Sequence, residues 1–304
     1  MALKLTDLSK QELEEFFDSF DTVLSDVDGV LFTDILNVID GAKESIKLLR
    51  NLKKKLYFIS NNSTSPLDLY LNRFKVFEAV KEELVRPIDS ITWYLKKINF
   101  DKELYVIGVK AFRNALEQAG FNVVYDEVTP VEETIVSAMG ITENIKPNIG
   151  AVIIDFSLNV NFFQLQKCVE YIKKNNAIFL VGAWDTAVPL GKNAYIGSRP
   201  FAEIIEQVTG VSPIVLSKPG KPFQEIIEEN IGPFDEKRVL FIGDTVETDM
   251  IFATNCGFKK LLVLTGLTSD ENLKNWKHDE GFKPDYVSDS IKDLFIVASK
   301  VGIA

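Results

Sequence analysis

The residues best suited to chemistry are two aspartates that follow an apolar run near the start of the chain. Asp26 and Asp28 stand in the segment Asp26-Val27-Asp28-Gly29-Val30, directly after Thr22-Val23-Leu24. Residues i and i+2 of a strand point to the same face, and Gly29 allows the backbone to turn sharply. We therefore expect two neighbouring carboxylates at the carboxyl edge of a sheet, where open α/β folds bind ligands. Because like charges repel, a cation is expected beside them, most simply a divalent metal ion.

Further polar residues follow three other apolar, β-like runs of the sequence. They are Ser60, Asn61, Lys218, Asp244 and Asp249. The carboxyl ends of parallel strands meet at one edge of a sheet, so the pattern predicts that these groups share one crevice. Carboxylates, a hydroxyl, an amide and a lysine together are suited to a metal ion and a phosphoryl group.

This set of residues predicts phosphoryl transfer by an aspartate nucleophile. The single histidine, His278, lies in a charged, loop-like segment, which disfavours Ser-His-Asp or Cys-His catalysis. A carboxylate can instead attack phosphorus directly and form an aspartyl-phosphate, while a neighbouring carboxylic acid protonates the leaving oxygen. Mg²⁺ would bridge the nucleophile, the phosphate and Asp244, and Lys218 would offset negative charge.

Each segment also has a purely structural interpretation. The Asp-x-Asp-Gly segment could be a surface turn, although an EF-hand calcium loop is excluded because its further ligands are missing. Ser60 alone could be a turn or cap residue, and Lys218 a solvated surface lysine. Asp244 and Asp249 could be the cap and first-turn acid of a helix. The functional interpretation depends on the combination, in which each group follows a strand.

Composition narrows the class of protein. Of the 304 residues, 46% are hydrophobic and 26% are charged, which is typical of a soluble globular protein. The net charge of −10 disfavours a nucleic-acid partner, and no apolar run approaches a membrane span of roughly 18 residues. The first twenty residues lack an apolar signal core, and no disulfide framework is expected from Cys168 and Cys256, which each lie in a helical pattern. We expect a cytoplasmic protein without a membrane partner.

Strand-like and helix-like segments alternate along the chain, which predicts an α/β fold with a parallel sheet. Strands are expected over 22–26, 55–59, 104–108, 151–154, 178–181, 214–216, 238–242 and 260–264. Helices are expected over 5–20, 41–51, 87–97, 111–118, 162–172, 200–209, 222–230 and 247–255, with another after Pro66. Residues 182–198 have the composition of a loop.

The motifs, in this order, resemble those of the haloacid dehalogenase-like phosphohydrolases. Within that family they are similar to the p-nitrophenylphosphatase, phosphoglycolate phosphatase and pyridoxal phosphatase group. The family's four motifs stand here as Asp26-Val27-Asp28-Gly29-Val30-Leu31, Phe58-Ile59-Ser60-Asn61-Asn62, Ser217-Lys218-Pro219, and Gly243-Asp244 through Asp249. The resemblance covers residues 20–266.

This resemblance implies a doubly wound, Rossmann-like α/β core over residues 1–102 and 213–304. Residues 103–212 would form an inserted α/β cap that sets substrate specificity and supports a possible homodimer. Asp26 would be the nucleophile and Asp28 the general acid/base. Mg²⁺ would be bound by Asp26, the Asp28 carbonyl and Asp244, and Asp249 would orient Lys218 or a metal-bound water. The substrate-binding residues would be Ser60, Asn61, Asn62, Trp184, Asp185 and Lys218.

Departures from the group's pattern concern the substrate more than the chemistry. Lys221 competes with Lys218 for the third motif, but spacing to the fourth motif favours Lys218. The stretches 182–188 and 195–199 differ from the group's usual cap loops. Thr64 and Val188 replace the histidine or arginine typical of pyridoxal-phosphate members, and Trp184 could flank a substrate or anchor its loop.

We therefore expect a magnesium-dependent phosphomonoester hydrolase that acts through an aspartyl-phosphate. The expected substrate is a small metabolite such as phosphoglycolate, with activity on p-nitrophenyl phosphate. The alternatives are a pyridoxal-phosphate, phosphotyrosine-protein or nucleotide phosphatase, or a phosphomutase. A catalytically silent paralogue that only binds a partner is a further alternative, which loss of Asp26 or Asp28 would have indicated.

Overall fold

The computed structural model describes residues 2–34, 37–127, 134–190 and 193–303. The chain is divided into two compact units, here called unit 1 and unit 2. Unit 1 comprises Met1–Ser60, Leu67–Val85 and Ile227–Ala304, and unit 2 comprises Asn61–Pro66 and Arg86–Ile226.

The described elements alternate between strands and helices. The strands are β1 (Leu3–Lys4), β2 (Thr22–Ser25), β3 (Lys55–Ile59), β4 (Leu84–Val85), β5 (Glu103–Ile107), β6 (Val123–Val124), β7 (Ile149–Ile154), β8 (Ile178–Val181), β9 (Ala187–Leu190), β10 (Asn193–Ile196), β11 (Ile214–Val215), β12 (Val239–Gly243), β13 (Lys259–Val263) and β14 (Tyr286–Ser288). The α-helices are α1 (Lys10–Asp18), α2 (Ala42–Asn51), α3 (Leu67–Phe74), α4 (Pro87–Lys97), α5 (Lys110–Gln118), α6 (Ile135–Glu143), α7 (Phe162–Asn175), α8 (Arg199–Thr209), α9 (Lys221–Ile231), α10 (Ile251–Asn255), α11 (Asp270–Lys274) and α12 (Lys292–Val301).

Unit 1 is built on a seven-stranded parallel sheet with the order β1-β14-β13-β12-β2-β3-β4. From β2 the chain continues to β3 on one side, and later returns through β12 on the other side. The strand order therefore reverses at β2, and ligands of open α/β sheets bind outside the carboxyl ends of strands at such a point.

The first elements of unit 1 follow from local sequence. Ser9 and Glu12 form a capping box, in which the Glu12 N–H donates to Ser9 Oγ and the Ser9 N–H donates to Glu12 Oε2 at 2.7 Å. The helix α1 then buries Leu13, Phe16 and Phe17. All four residues of β2 are buried, as expected for the apolar central strand of a parallel sheet.

An aromatic cluster fills part of the core of unit 1. Phe32, which follows the Asp26–Val30 segment, packs edge-on against Phe74 and Phe77, with ring centroids 5.5 and 5.3 Å apart. Phe58 of β3 packs against Phe74 at 5.1 Å. These contacts connect the loop after β2 to α3 through buried apolar surface.

Unit 2 contains a five-stranded parallel sheet with the order β11-β8-β7-β5-β6. Its core includes Tyr105, Val152, Ile154, Phe179 and Val181, packed against buried residues of α7 and α8. The antiparallel pair β9 and β10 forms a separate two-stranded ribbon.

The predicted α/β class and parallel sheets are confirmed, and most predicted elements are present with small shifts at their ends. Two segments differ. Residues 182–198 contain β9 and β10 rather than only a loop. The prediction missed this ribbon because Pro189 and Gly191 are residue types typical of turns. The expected helix over 247–255 begins with a wide π-type turn, Val246–Met250, before α10.

Unit 2 also includes residues 61–66, 86–102 and 213–226, which lie outside the predicted cap of residues 103–212. The strand β11 hydrogen-bonds to β8 and so extends the sheet of unit 2. The core and cap boundaries implied by the resemblance stay a prediction. Among the described residues, no helix combines the length and the apolar character needed to cross a bilayer.

Candidate active site

Three residues predicted for the site follow neighbouring strands of unit 1. Asp26 follows β2, Ser60 follows β3 and Asp244 follows β12. The Asp26 N–H donates to Ile242 O at 2.8 Å, and the Ser60 N–H donates to Val85 O at 3.0 Å, so both residues continue the ladder beyond their strands. Since β3, β2 and β12 are adjacent and parallel, the three residues lie along the same edge of the sheet.

Three carboxylates converge at this edge. One oxygen of each of Asp26, Asp244 and Asp249 lies within 4.8 Å of the other two. The three residues are 7%, 3% and 1% exposed. Buried carboxylates this close repel one another unless a cation or protons neutralise them. Oxygen ligands of this kind are those that Mg²⁺ and Ca²⁺ prefer, so the donor set fits a hard divalent cation.

Asp249 is a member of this cluster and also accepts hydrogen bonds from the backbone. Its Oδ2 accepts hydrogen bonds from the N–H groups of Asp244 and Thr245, at 3.0 and 3.1 Å. The wide turn over Val246–Met250 carries Asp249 back to the end of β12. The resemblance predicted that Asp249 orients Lys218 or a water, and the structure adds that its carboxylate is a member of the acidic cluster.

The Asp244 carboxylate is held by a loop that the sequence analysis did not single out. Its Oδ2 accepts the Leu267 N–H at 2.8 Å, and its carbonyl oxygen accepts the Thr268 N–H at 3.0 Å. The backbones of Gly29 and Gly266 lie so close that a Cβ on either would overlap the carboxylate. Gly29 also has φ of +92°, which favours glycine. A glycine following the apolar run Leu261–Leu264 was the available sequence signal for this loop.

The Asp28 side chain contacts an arginine, whereas the Asp26 side chain lies in the acidic cluster. Arg73 Nη2 donates to Asp28 Oδ1 at 2.7 Å and to Asp34 O at 2.9 Å. The Arg73 guanidinium also lies 3.8 Å from the centroid of the Phe32 ring. The cation found beside the Asp28 carboxylate is thus an arginine of α3, which the sequence analysis missed. Within the described residues, Asp28 is not a member of the acidic cluster.

Three other predicted residues meet in unit 2. Asn61 Oδ1 accepts the Lys218 N–H at 3.1 Å, and Asn61 Nδ2 donates to Lys218 O at 3.1 Å. Asn61 Nδ2 also contacts Asp185 Oδ1 at 3.4 Å. Lys218 is only 2% exposed, so the interpretation of this residue as a solvated surface lysine is wrong.

Asn62 and Trp184 have contacts that shape their own loops. Asn62 Oδ1 accepts hydrogen bonds from the N–H and the hydroxyl of Thr64, at 2.9 and 2.7 Å. Trp184 packs against the apolar core of unit 2, and the Arg199 guanidinium lies 5.5 Å from its ring centroid. These contacts support the loop-anchoring role that the sequence left open for Trp184.

Comparison with known proteins gives consistent similarities over most of the chain. The family models of haloacid dehalogenase-like hydrolases and of HAD-hydrolase-like proteins match residues 23–122 and 215–294. A 4-nitrophenylphosphatase from Schizosaccharomyces pombe is 31% identical over 300 residues, covering 97% of this chain and 99% of the relative. Phosphoglycolate phosphatase 2 from Arabidopsis thaliana is 30% identical over 298 residues, covering 94% and 96%.

Solved structures also share this fold. A p-nitrophenyl phosphatase from Archaeoglobus fulgidus superposes with a TM-score of 0.76 at 23% identity. The superposition covers 91% of this chain and 99% of that protein. At this level of identity the likeness establishes the shared fold.

Proposed function

Because this chain belongs to the haloacid dehalogenase-like hydrolases and is a phosphatase, we propose that it is a magnesium-dependent phosphomonoester hydrolase that uses Asp26 as nucleophile. The observation that carries this proposal is the buried cluster of Asp26, Asp244 and Asp249 at the reversal point of the sheet. The cluster brings residues of the first and fourth sequence motifs together, which supports the proposal.

The donor set fits a magnesium ion. Asp26, Asp244 and Asp249 each offer a carboxylate oxygen, and the Asp28 carbonyl is a further proposed ligand. When bound, the ion would lower the electrostatic cost of bringing a phosphate dianion to a site that already holds three carboxylates.

In the first proposed step, a carboxylate oxygen of Asp26 attacks phosphorus. A bond forms between that oxygen and phosphorus, the bond from phosphorus to the ester oxygen breaks, and the leaving oxygen takes a proton from Asp28. The products of this step are a phosphorylated Asp26, the released alcohol and an ionised Asp28.

In the second proposed step, Asp28 acts as a base. It takes a proton from a water molecule while the water oxygen attacks phosphorus, and the bond between phosphorus and Asp26 breaks. Inorganic phosphate leaves, and Asp26 and Asp28 return to their starting states.

The remaining predicted residues bind the phosphoryl group in this proposal. The Ser60 hydroxyl and the backbone N–H groups of Asn61 and Asn62 donate hydrogen bonds to phosphoryl oxygens, and Lys218 offsets their charge. The burial of Lys218 supports its role, since lysine is almost never fully buried unless it has a partner.

We further propose that the substrate is a small phosphorylated metabolite of the phosphoglycolate type, with activity on p-nitrophenyl phosphate. The similarity to a 4-nitrophenylphosphatase and to a phosphoglycolate phosphatase supports this choice. Trp184 and Asp185 are proposed to contribute to substrate choice. Pyridoxal-phosphate, phosphotyrosine and nucleotide phosphatases are the alternatives. A homodimer through the cap and a cytoplasmic location stay predictions.

The test is release of inorganic phosphate from a panel of esters. The panel contains phosphoglycolate, p-nitrophenyl phosphate, pyridoxal phosphate, phosphotyrosine and a nucleotide monophosphate, each assayed with Mg²⁺ and with chelator. Asp26→Asn should abolish turnover, whereas Asp40→Asn, which removes an exposed ion pair with Lys292, should leave it unchanged. Absence of turnover on every ester, with folded protein and Mg²⁺, would reject the proposal. Transfer of the phosphoryl group to an acceptor instead of water would indicate a phosphomutase.

A further inference from the structure

Asp155 is a buried acid of unit 2 that the proposed chemistry does not use. It follows the last residue of β7 and is 1% exposed. Its Oδ1 accepts hydrogen bonds from the Ser63 hydroxyl and from the Phe156 N–H, the latter at 2.7 Å. Its other oxygen faces Gly182 so closely that a Cβ at that position would overlap it.

Burial makes this carboxylate costly. Loss of hydration raises the pKa of Asp155 to about 6. The Ser63 hydroxyl and the N–H groups of Phe156 and Ala183 stabilise the ionised carboxylate and so lower the pKa, but by less than burial raises it. None of these groups carries a charge. Within the part of the chain that the structure describes, no group donates a hydrogen bond of ordinary geometry to Asp155 Oδ2. Acids in such unfavourable surroundings are concentrated at functional sites.

The two segments that contact Asp155 both lead to the predicted phosphoryl-binding residues. Ser63 lies two residues after Asn61, in the short segment Asn61–Pro66 that belongs to unit 2. Gly182 begins the loop that reaches Asp185 three residues later. These segments meet again at Asn61, which contacts Asp185 and is hydrogen-bonded twice to the Lys218 backbone. Asp155 is therefore connected to Asn61 by two routes, one through Ser63 and one through the loop from Gly182 to Asp185.

We propose that Asp155 is a positioning residue, which holds Ser63 and the Gly182 loop so that Asn61 and Lys218 are placed to bind the phosphoryl group. The proposal rests on the proposed function and deepens it. Asp155 does not touch substrate in this scheme. It acts through the Ser63 hydroxyl on one side and through the backbone at Gly182 on the other.

The experiment compares Ser63→Ala, Ser63→Thr and Asp155→Asn with the wild type. Ser63→Ala removes only the hydroxyl that reaches Asp155, and Ser63→Thr keeps a hydroxyl. The two measurements are steady-state kinetics on p-nitrophenyl phosphate and calorimetric binding of inorganic phosphate in the presence of Mg²⁺. Ser90→Ala is the matched control, because it removes another buried serine hydroxyl of unit 2, one that donates to Arg86 O.

Ser63→Ala and Asp155→Asn should each raise KM and the phosphate Kd by about 5- to 20-fold, with a smaller change in kcat. This pattern is expected when an interaction made equally in the ground and transition states is lost. Ser63→Thr should recover most of the affinity, and Ser90→Ala should match the wild type. A double variant that combines Ser63→Ala with Asp155→Asn should have a KM and a phosphate Kd no higher than those of the weaker-binding single variant, because both residues act through one contact.

Wild-type phosphate affinity in both Ser63→Ala and Asp155→Asn would overturn this proposal while leaving the proposed function intact. A wild type that neither hydrolyses the esters nor binds phosphate would overturn both. A loss of folding in Asp155→Asn would leave the decision to the two Ser63 variants.

Discussion

Arg73 Nη2 lies 2.7 Å from Asp28 Oδ1, and the same nitrogen also donates to the Asp34 carbonyl oxygen. With the Phe32 ring beneath its guanidinium, Arg73 is fixed from three directions. It is 9% exposed, whereas the Asp28 side chain is 31% exposed. The geometry thus gives the proposed acid/base a defined orientation at a partly open position.

The first prediction concerns this pair. Arg73→Gln should lower kcat/KM on phosphoglycolate by ~10²-fold, the low end of what a positioned acid contributes. The fall on p-nitrophenyl phosphate should be much smaller, because nitrophenolate leaves without needing a proton. The measurement is the ratio of the two kcat/KM values, since kcat/KM reports the step in which the leaving group departs.

The control for Arg73 is Arg50→Gln. Arg50 forms a two-bonded, partly buried ion pair with Glu83 in the same unit, at 2.8 and 2.7 Å. Its loss should destabilise the fold without changing the ratio. An equal fall on both esters in Arg73→Gln would show that Arg73 does not act through Asp28.

The second prediction separates the two roles of Asp249. Asp249→Asn keeps an oxygen that can accept the N–H groups of Asp244 and Thr245, but it replaces one carboxylate oxygen by an amide. We expect the Mg²⁺ concentration for half-maximal activity to rise ~10- to 100-fold with little change in stability, as when a metal-site partner is lost. The measurements are a Mg²⁺ titration of activity and urea unfolding.

Asp249→Ala should lose both roles. Leaving two buried N–H groups without their acceptor should cost about 3 kcal/mol of unfolding free energy in addition to the loss of Mg²⁺ response. If both variants lose the same unfolding free energy, the contact of Oδ2 with the two N–H groups is not the structural role of Asp249.

The third prediction concerns the glycine beside Asp244. A Cβ at Gly266 would overlap the Asp244 carboxylate, so Gly266→Ala must displace that acid. A displacement of about 1 Å can lower the rate ~10²-fold, and we expect a loss of that order together with weaker Mg²⁺ response. Gly140→Ala in α6 is the matched control, because no described atom beyond the adjoining residues and the backbone of its own helix lies within 4 Å of the added Cβ. That substitution should be neutral or slightly stabilising, and full activity in Gly266→Ala would contradict the packing described for Asp244.

The fourth prediction is a pH dependence of stability from Asp155. Its pKa is raised in the folded protein from 3.8 to about 6, so the folded state holds this proton more tightly than the unfolded state. The associated stability is complete below about pH 4, falls as pH rises to about 6 and is constant above that, a loss of about 3 kcal/mol.

Asp155→Asn should remove this contribution. The variant should therefore gain unfolding free energy relative to the wild type at pH 7.5, but not at pH 4. The measurement is the difference between the two proteins in urea unfolding across this pH range, because carboxylates common to both then cancel. A difference that does not change with pH would show that Asp155 titrates normally in the folded protein.

The sequence predicted the strands and the residues at their ends because both follow local rules. Apolar β-like runs such as Lys55–Ile59 have strong strand propensity, and parallel strands place their following residues at one edge. The grouping of Asp26 with Asp244 could therefore be predicted from their positions alone. The buried state of Lys218 could not, because burial depends on packing between segments distant in sequence.

The supporting residues had no comparable local signal. Arg73 lies on α3, and Asp155 follows β7, so neither stands in a motif. Their proposed roles depend on contacts with Asp28 and Ser63, 45 and 92 positions away. Likewise, β11 could be predicted as a strand, but its pairing with β8 was decided by tertiary structure.

The pairing of β2 with β12 also bears on how the protein is made. Residues 22–25 find their neighbours at 239–242, so the cluster of Asp26 with Asp244 joins the beginning of the chain to a segment synthesised much later. At translation rates of 5–20 residues per second, roughly 10–45 s separate the emergence of the two segments from the ribosome. During that interval the proposed nucleophile is present without Asp244 or Asp249, and a nascent chain cannot assemble the acidic cluster before Asp249 has been translated.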